Sequence, residues 1–233
     1  MARTDQIETH AGLRVIRIES MPFGENTYIV HRPPDRRCLV IDPGFEPGAI
    51  IEAVEADNLE PEAILLTHGH SDHIAGNAAV RKVWPGLPIL VGANDASKLQ
   101  DPAGNLSGPF GFLVQSPPAD RLLADGERLE LAGFDIRVDE IPGHSIGHVV
   151  FCMLDVSPPV VFAGDVLFRE GIGRTDFPDG SFESLASGIM SRLYSFPDET
   201  IVFPGHGDLT TVGHERRCNP FVNDPRVHGG GDA

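Results

Sequence analysis

The sequence predicts an α/β fold in which two sheets pack face to face and helices cover their outer surfaces. Short apolar strands occur in two sets along the 233 residues, and each set is interleaved with helical segments. Hydrophobic residues make up 41% of the chain, which is usual for a globular protein. We expect residues 1–227 to form a single domain and residues 228–233, which begin His-Gly-Gly-Gly, to be a flexible tail.

The first set of strands and helices occupies the N-terminal half. Its strands either alternate apolar and polar residues or are short apolar runs, and turn-forming Pro, Gly and Asp residues separate them. The predicted strands are Leu13–Glu19, Asn26–His31, Arg37–Asp42, Ala63–Thr67 and Leu87–Val91. The predicted helices are Ala49–Asn58, Ile74–Val83 and Asn94–Leu99.

The second set follows a long segment, Asp101–Asp120, that is rich in Gly, Pro and Ser. Irregular segments of this length are often lids or binding loops. We therefore expect a lid, a dimer contact or a disordered loop, in which Phe110 and Phe112 could line a pocket. The strands predicted after it are Arg128–Glu130, Phe134–Glu140, Val149–Leu154, Val160–Ala163 and Thr200–Phe203, and the helices are Ser181–Ser195 and Thr210–Arg217.

Charge and cysteine content restrict the class of partner. The formal net charge is −16, whereas binding to nucleic acid or to an anionic membrane requires a basic surface. The N-terminus lacks the apolar core of a secretory signal, and no run approaches the roughly 18 apolar residues of a membrane span. The 3 cysteines contain no Cys-x-x-Cys pair. We therefore expect a cytoplasmic protein with a small-molecule substrate and no nucleic-acid, membrane or evident protein partner.

One short segment concentrates groups that bind metals. His68, His70, Asp72 and His73 lie within six residues, between a predicted buried strand and a predicted helix. Imidazole and carboxylate suit zinc, iron and manganese. A turn lets the side chains of His68 and His70 point in the same direction. Asp72 and His73, at the start of the helix, are expected to point to a neighbouring position. The segment is therefore predicted to supply ligands to two ions.

Three further groups follow predicted strands in the second half. These are His144, Asp165 and His206, each preceded by a glycine. A carboxylate such as that of Asp165 can bridge two ions with one oxygen on each. The other histidines are expected to be non-ligands, with His148 making structural hydrogen bonds; they are His10, His31, His148, His214 and His228.

The order His-x-His-x-Asp-His, a distant His, Gly-Asp and Gly-His resembles the metallo-β-lactamase superfamily, from Asn26 through Phe221. This resemblance implies a four-layer αβ/βα sandwich with a metal site at one edge of its sheets. It implies two divalent ions, which could be zinc, iron or manganese. The implied ligands are His68, His70 and His144 for the first ion, Asp72, His73 and His206 for the second, and Asp165 as the bridge. Asp72 and Asp165 are the predicted catalytic residues.

Within the superfamily, three stretches resemble glyoxalase II, the hydroxyacylglutathione hydrolases, and especially their short bacterial relatives. They are Gly164–Phe168, Gly171–Pro178 and Thr210–Phe221. The resemblance implies hydrolysis of a thioester, S-D-lactoylglutathione or a related acyl-thiol. The helical extension that holds glutathione in full-length glyoxalase II is not expected, because the sequence ends soon after Phe221.

Several alternatives remain open. Arg174 and Asp176 are expected either to orient the metal ligands or to form an ion pair within a turn. A mononuclear iron persulfide dioxygenase is the main alternative activity, because such enzymes share the histidine pattern and a stretch like Gly173–Phe177. A metal-dependent lactonase or other ester hydrolase is a further alternative. The Gly-Asp-x-Leu-Phe setting of Asp165 favours a thioesterase over a β-lactamase, and the net charge disfavours an RNA phosphodiesterase.

Overall fold

The computed structural model describes residues 3–8 and 12–223; the predicted tail, residues 228–233, lies outside this part. Its first sheet has seven strands, ordered along the sheet as along the chain. They are β1 (Arg3–Glu8), β2 (Arg14–Ser20), β3 (Glu25–His31), β4 (Arg37–Ile41), β5 (Glu60–Leu66), β6 (Ile89–Gly92) and β7 (Arg121–Leu123). Strands β1 to β4 pair antiparallel, and β4 to β7 pair parallel.

The second sheet has six strands in the described residues, and a separate two-stranded hairpin follows its fourth strand along the chain. The strands are β8 (Arg128–Leu131), β9 (Phe134–Glu140), β10 (Val149–Met153), β11 (Val160–Gly164), the hairpin β12 (Leu167–Phe168) and β13 (Gly171–Ile172), β14 (Ile201–Pro204) and β15 (Thr210–Thr211). The sheet order is β15-β14-β11-β10-β9-β8. The helices are α1 (Pro47–Ala56), α2 (Ser71–Ile74), α3 (Asn77–Val83), α4 (Phe182–Ser191) and α5 (Val212–Cys218).

Side-chain alternation along the strands produces the layers. In β4, Leu39 and Ile41 face the core between the two sheets, while Cys38 and Val40 face the opposite side and the helices α1 and α3. A third buried cluster joins the outer face of the second sheet to α4 and α5. The order helix, sheet, sheet, helix confirms the predicted sandwich.

The structure corrects four predicted elements. The helix predicted at Thr210–Arg217 begins only at Val212, because Thr210–Thr211 forms strand β15. The helix predicted at Ile74–Val83 is divided into α2 and α3 around Gly76, whose amide donates to the carbonyl of Pro43 at 2.8 Å. A side chain at Gly76 would lie 2.7 Å from the carbonyl oxygen of Gly44, so this close backbone contact requires glycine. The segment predicted as a helix at Asn94–Leu99 is a 3₁₀ helix, Ala93–Gln100. The helix predicted at Ser181–Ser195 ends at Ser191 and continues as a short 3₁₀ turn.

The C-terminal ends of several strands meet at one edge of the sandwich. Strands β4, β5 and β6 are parallel, as are β11 and β14. Strand β9 runs in the same direction as β11, because both pair antiparallel with β10. The two sheets are joined at this edge, where the amide of Val149 donates to the carbonyl of Thr67 at 2.8 Å. The loops that leave these strands therefore converge. No helix in the described ranges is long and apolar enough to cross a membrane.

Candidate metal centre

Three imidazoles converge at this edge. His68 Nε2 lies 3.0 Å from His70 Nδ1, which in turn lies 2.9 Å from His144 Nε2. All three rings are buried. Burial lowers the pKa of His68 and of His70 well below the usual value and also lowers the pKa of His144. The rings are therefore neutral, and they direct three ring nitrogens at a common point.

A second group lies beside the first, with Asp165 between them. His206 Nε2 is 3.4 Å and His73 Nε2 is 3.8 Å from Asp72 Oδ2. The carboxylate of Asp165 lies 3.4 Å from His73 Nε2, 3.5 Å from His206 Nε2 and 3.3 Å from His144 Nε2. One carboxylate thus reaches ring nitrogens of both groups, which is the geometry expected of a bridging group.

The carboxylates dominate the electrostatics of the second group. Burial opposes protonation of His206, but the charges of Asp165 and Asp72 outweigh it and raise the pKa of His206 to about 10. The same balance raises the pKa of His73 well above its usual value. Burial opposes ionisation of Asp165, yet His206, His73 and His144 together lower the pKa of this carboxyl well below the usual range. A site with this negative potential attracts cations.

Four of the five rings use their other nitrogen to bond to the surrounding protein. These outer partners are Thr67 Oγ1 for His68 at 3.1 Å, Asp42 Oδ2 for His73 at 3.1 Å, the Arg174 carbonyl for His144 at 2.9 Å and the Phe23 carbonyl for His206 at 3.2 Å. A carbonyl or carboxylate accepts, so in those three rings Nδ1 carries the proton that is donated. Nε2, which faces the centre, is then the nitrogen with a free lone pair when the ring is neutral.

These donor atoms fit metal ions. Three sets of side chains each bring one donor atom per residue within 4.8 Å of one another: His68, His70 and His144; His68, His73 and Asp165; and Asp72, His73 and His206. His73 Nε2 and Asp165 Oδ1 are also buried without a hydrogen-bond partner among the described residues. The neutral imidazoles of His68, His70 and His144 cannot satisfy one another's lone pairs, whereas a divalent cation would satisfy them. The structure thus brings together all seven side chains that the sequence singled out.

Two glycines allow the loops that carry Asp165 and His206 to approach the neighbouring residues of the site closely. Gly164, directly before Asp165, has φ +48°, and a side chain there would lie 2.3 Å from Thr67 Oγ1. A side chain at Gly205, directly before His206, would lie 2.2 Å from Asp165 Oδ1. A larger residue at Gly164 would displace Thr67, which bonds to His68, and a larger residue at Gly205 would displace the carboxylate of Asp165.

Two buried carboxylates that the sequence analysis did not identify hold this edge together. Asp42 bonds to His73, as described above. Asp95 accepts from the amides of Gly69 and Gly147, both at 2.8 Å, and from the Ser145 hydroxyl at 2.5 Å. It thereby ties the loop of His68 and His70 to the loop of His144. The only local signals were the position of Asp42 at a strand end and that of Asp95 just after β6.

The remaining predicted residues occupy the periphery. Arg174 contacts His144 through its backbone carbonyl, while its side chain forms an exposed ion pair with Asp176 at 2.8 Å. His148 is buried, and its Nε2 accepts from the amide of Asp165 at 3.0 Å, which is the structural hydrogen bond predicted for it. His31 and His214 lie outside the three sets. His10 and His228 lie outside the described residues.

Five of the seven converging side chains line a cleft of about 240 Å³: His70, Asp72, His144, Asp165 and His206. Its walls are mostly apolar, and the lining comprises Phe23, His70, Ser71, Asp72, Leu106, Phe110, His144, Asp165, Phe168, Ile172, Arg174, Phe177 and His206. Such a cleft can admit a small molecule whose reactive group lies against the two donor groups.

Comparison with known proteins agrees with this geometry. The family model described as the Metallo-beta-lactamase superfamily matches residues 21–206. Hydroxyacylglutathione hydrolase GloC from Haemophilus influenzae is 40% identical over 218 residues, which cover 89% of this chain and 99% of GloC.

Two solved structures are similar over nearly their whole length. BLEG-1 B3 metallo-beta-lactamase is 36% identical with a TM-score of 0.84, covering 89% of this chain and 99% of that one. TTHA1623, in a di-iron-bound form, is 37% identical with a TM-score of 0.77, covering 88% and 98%.

Proposed function

The chain belongs to the metallo-β-lactamase superfamily and is a metal-dependent hydrolase, and we propose that its substrate is a thioester of the kind cleaved by glyoxalase II. In this reaction water adds to the thioester carbonyl, the carbon–sulfur bond breaks, and a carboxylic acid and a thiol are formed. S-D-lactoylglutathione is the first substrate to test, because the similar protein GloC is a hydroxyacylglutathione hydrolase.

We assign the donor atoms to two divalent ions, zinc, iron or manganese. His68, His70 and His144 would hold the first, Asp72, His73 and His206 would hold the second, and Asp165 lies between the two groups, where its carboxylate would serve both ions. Bound there, such ions lower the pKa of water and polarise a carbonyl oxygen. The two-ion assignment is supported by the reach of Asp165 to both groups and by the di-iron form of the similar TTHA1623.

The residues of the chain supply orientation. Asp72 and Asp165 would balance the positive charge of ions held at this site. The outer hydrogen bonds of His68, His73, His144 and His206 hold the rings in place, so that little reorganisation is needed during reaction.

The observation that carries the choice of a thioester is the composition of the cleft. Outside the assigned metal ligands, its only polar lining side chains among the described residues are Ser71 and Arg174. Neither is an acid that could protonate an amine or alkoxide as it leaves. A thiolate needs no such acid, because a free thiol has a pKa of about 8.5. The cleft therefore suits a leaving group that departs as an anion.

The experiment is thiol release from S-D-lactoylglutathione by enzyme loaded with zinc or with iron. We expect an efficiency above about 10⁴ M⁻¹s⁻¹, which is typical of a true substrate. Metal content is measured on the same samples. If enzyme with both ions bound releases no thiol from this or any other thioester, the proposal is wrong.

Two other substrates have specific support. The similarity to BLEG-1 B3 metallo-beta-lactamase favours a β-lactam, although ring opening needs protonation of nitrogen; hydrolysis of a coloured cephalosporin tests this. The stretch Gly173–Phe177 favours persulfide oxidation, and it borders the centre, where the Arg174 carbonyl accepts from His144. Oxygen uptake with glutathione persulfide tests that alternative.

A further inference from the structure

An aromatic wall stands beside the metal centre. It consists of Phe23 in the β2–β3 connection, Phe45 after β4, and Phe110 and Phe112 in the segment between β6 and β7. The ring of Phe23 is central, with its centroid 5.7 Å from that of Phe45, 5.9 Å from that of Phe112 and 6.2 Å from that of Phe110. These spacings are those of packed aromatic pairs. Three separate loops thus build one apolar surface.

This wall is exposed where it faces the cleft. The side chain of Phe110 is 54% exposed and that of Phe23 is 37% exposed, and both line the cleft together with Asp72 and Asp165. The wall is also tied to the centre, because the backbone carbonyl of Phe23 accepts from His206 Nδ1 at 3.2 Å. Large apolar side chains left exposed at a functional cleft indicate an apolar ligand group.

The charge of the cleft supports the same conclusion. Among the described residues, Arg174 is the only lysine or arginine that lines it. The guanidinium of Arg174 is held by Asp176 through two hydrogen bonds of 2.9 and 2.8 Å, and it lies 4.5 Å from the centroid of the Phe177 ring. A thiol carrier with free carboxylates therefore meets no unpaired cation on the cleft wall.

We infer that the aromatic wall binds an apolar arm of the substrate, so that the enzyme prefers thioesters with an apolar acyl or thiol part over those with small or anionic parts. This inference rests on the proposed thioester hydrolysis, and it ranks S-D-lactoylglutathione, which has a small acyl part and an anionic thiol part, below apolar thioesters while leaving it a substrate. It predicts that Phe110 determines specificity through substrate binding, while the metal-facing groups determine the rate of the chemical step.

The test uses metal-loaded enzyme and two thioester series. In the acyl series the thiol is glutathione and the acyl group is acetyl, butyryl, hexanoyl or benzoyl. In the thiol series the acyl group is acetyl and the thiol is glutathione, N-acetylcysteamine or benzyl mercaptan. In the series that varies the part of the substrate bound by the wall, we expect kcat/KM to rise about tenfold or more as that part becomes larger and more apolar. The series that rises shows which part of the substrate the wall binds.

A pair of variants distinguishes loss of substrate binding at this wall from a general effect of truncating a side chain in the same segment. Phe110→Ala should lower kcat/KM for the preferred apolar substrate about tenfold, mainly through KM, and should lower kcat/KM for S-acetylglutathione, which carries no apolar arm, by a clearly smaller factor. Leu113→Ala is the matched control, because Leu113 belongs to the same segment and is 79% exposed but does not line the cleft. Because Phe110 is half exposed, its truncation should leave the thermal midpoint of unfolding nearly unchanged, and Phe110→Leu should restore part of the preference.

The outcomes are distinguishable. If kcat/KM does not rise with apolar size within either series, or if the anionic thioesters are preferred, the inference is wrong while the proposed function stands. If Phe110→Ala and Leu113→Ala change the preference equally, the wall is not the binding surface. If no thioester in either series is hydrolysed by enzyme with both ions bound, the proposed function fails and the inference fails with it.

Discussion

Asp42 Oδ2 lies 3.1 Å from His73 Nδ1 and 2.6 Å from the hydroxyl of Thr67, while Asp42 Oδ1 accepts from the amide of Thr67 at 2.7 Å. A single buried carboxylate thus fixes the ring of His73 and the start of the loop that carries His68. Such outer hydrogen bonds set both the orientation and the basicity of a metal ligand.

Replacement of Asp42 by asparagine should weaken metal binding about 10- to 100-fold, because the amide cannot supply a full negative charge to His73. Asparagine tolerates the φ of +48° at this position, so the backbone is retained. Chelator competition measures the affinity. Asp35→Asn, at an exposed ion pair with Arg37, is the control and should leave the affinity unchanged. Equal affinity in Asp42→Asn and the unmodified protein would contradict the role given to Asp42.

Asp165→Asn should release metal and lower turnover by about 10³-fold or more, because a neutral amide between the two donor groups cannot balance the charge of two ions. Elemental analysis and thiol release measure the two effects. Asp176→Asn is the matched control, because that carboxylate is exposed and, among the described residues, forms its ion pair with Arg174. A variant of Asp165 that retains both ions and full rate would falsify the bridging assignment.

Lys98→Met should lower the free energy of unfolding by about 3 kcal/mol. Lys98 is buried between two carboxylates, with Nζ 3.3 Å from Asp95 and 2.5 Å from Asp179, so its removal takes the countercharge from the fully buried Asp95 and from the partly buried Asp179. Urea unfolding of the metal-free protein measures the loss. Arg81→Met, at the exposed pair with Asp120, should cost less than about 1 kcal/mol. If the two variants lose similar free energies of unfolding, the buried ion pairs of Lys98 contribute no more to stability than an exposed pair does.

The cysteines should differ in reactivity toward a thiol reagent. Burial raises the pKa of Cys38 to about 12 and raises that of Cys152 further, so both remain protonated and inaccessible between pH 7 and pH 9. Cys218 is exposed. We expect one thiol of the three to react in the folded protein and all three to react in denaturant. Cys218→Ser should remove the fast reaction; if a fast reaction persists, one of the buried thiols is accessible.

The sequence by itself indicated the layered fold and singled out the seven side chains that the structure brings together. Each of these side chains follows a recognisable apolar strand, and residues such as His68 and His70 lie within one loop, so local pattern carries the information. The resemblance to a superfamily then implied how the separate loops combine. The edge strands β1 and β7 were not predicted, because short strands with exposed polar residues have weak patterns.

Tertiary structure alone decided which residues support the centre. Asp42 and His73 are 31 positions apart, and Asp95 and Gly69 are 26 apart, so no local pattern connects a buried carboxylate with the group it holds. The aromatic wall likewise combines Phe23 and Phe110 from distant loops. The break at Gly76 arises from contact with the backbone of Pro43 and Gly44. Such features depend on contacts between segments that are far apart in the sequence, and these contacts form only when the chain folds as a whole.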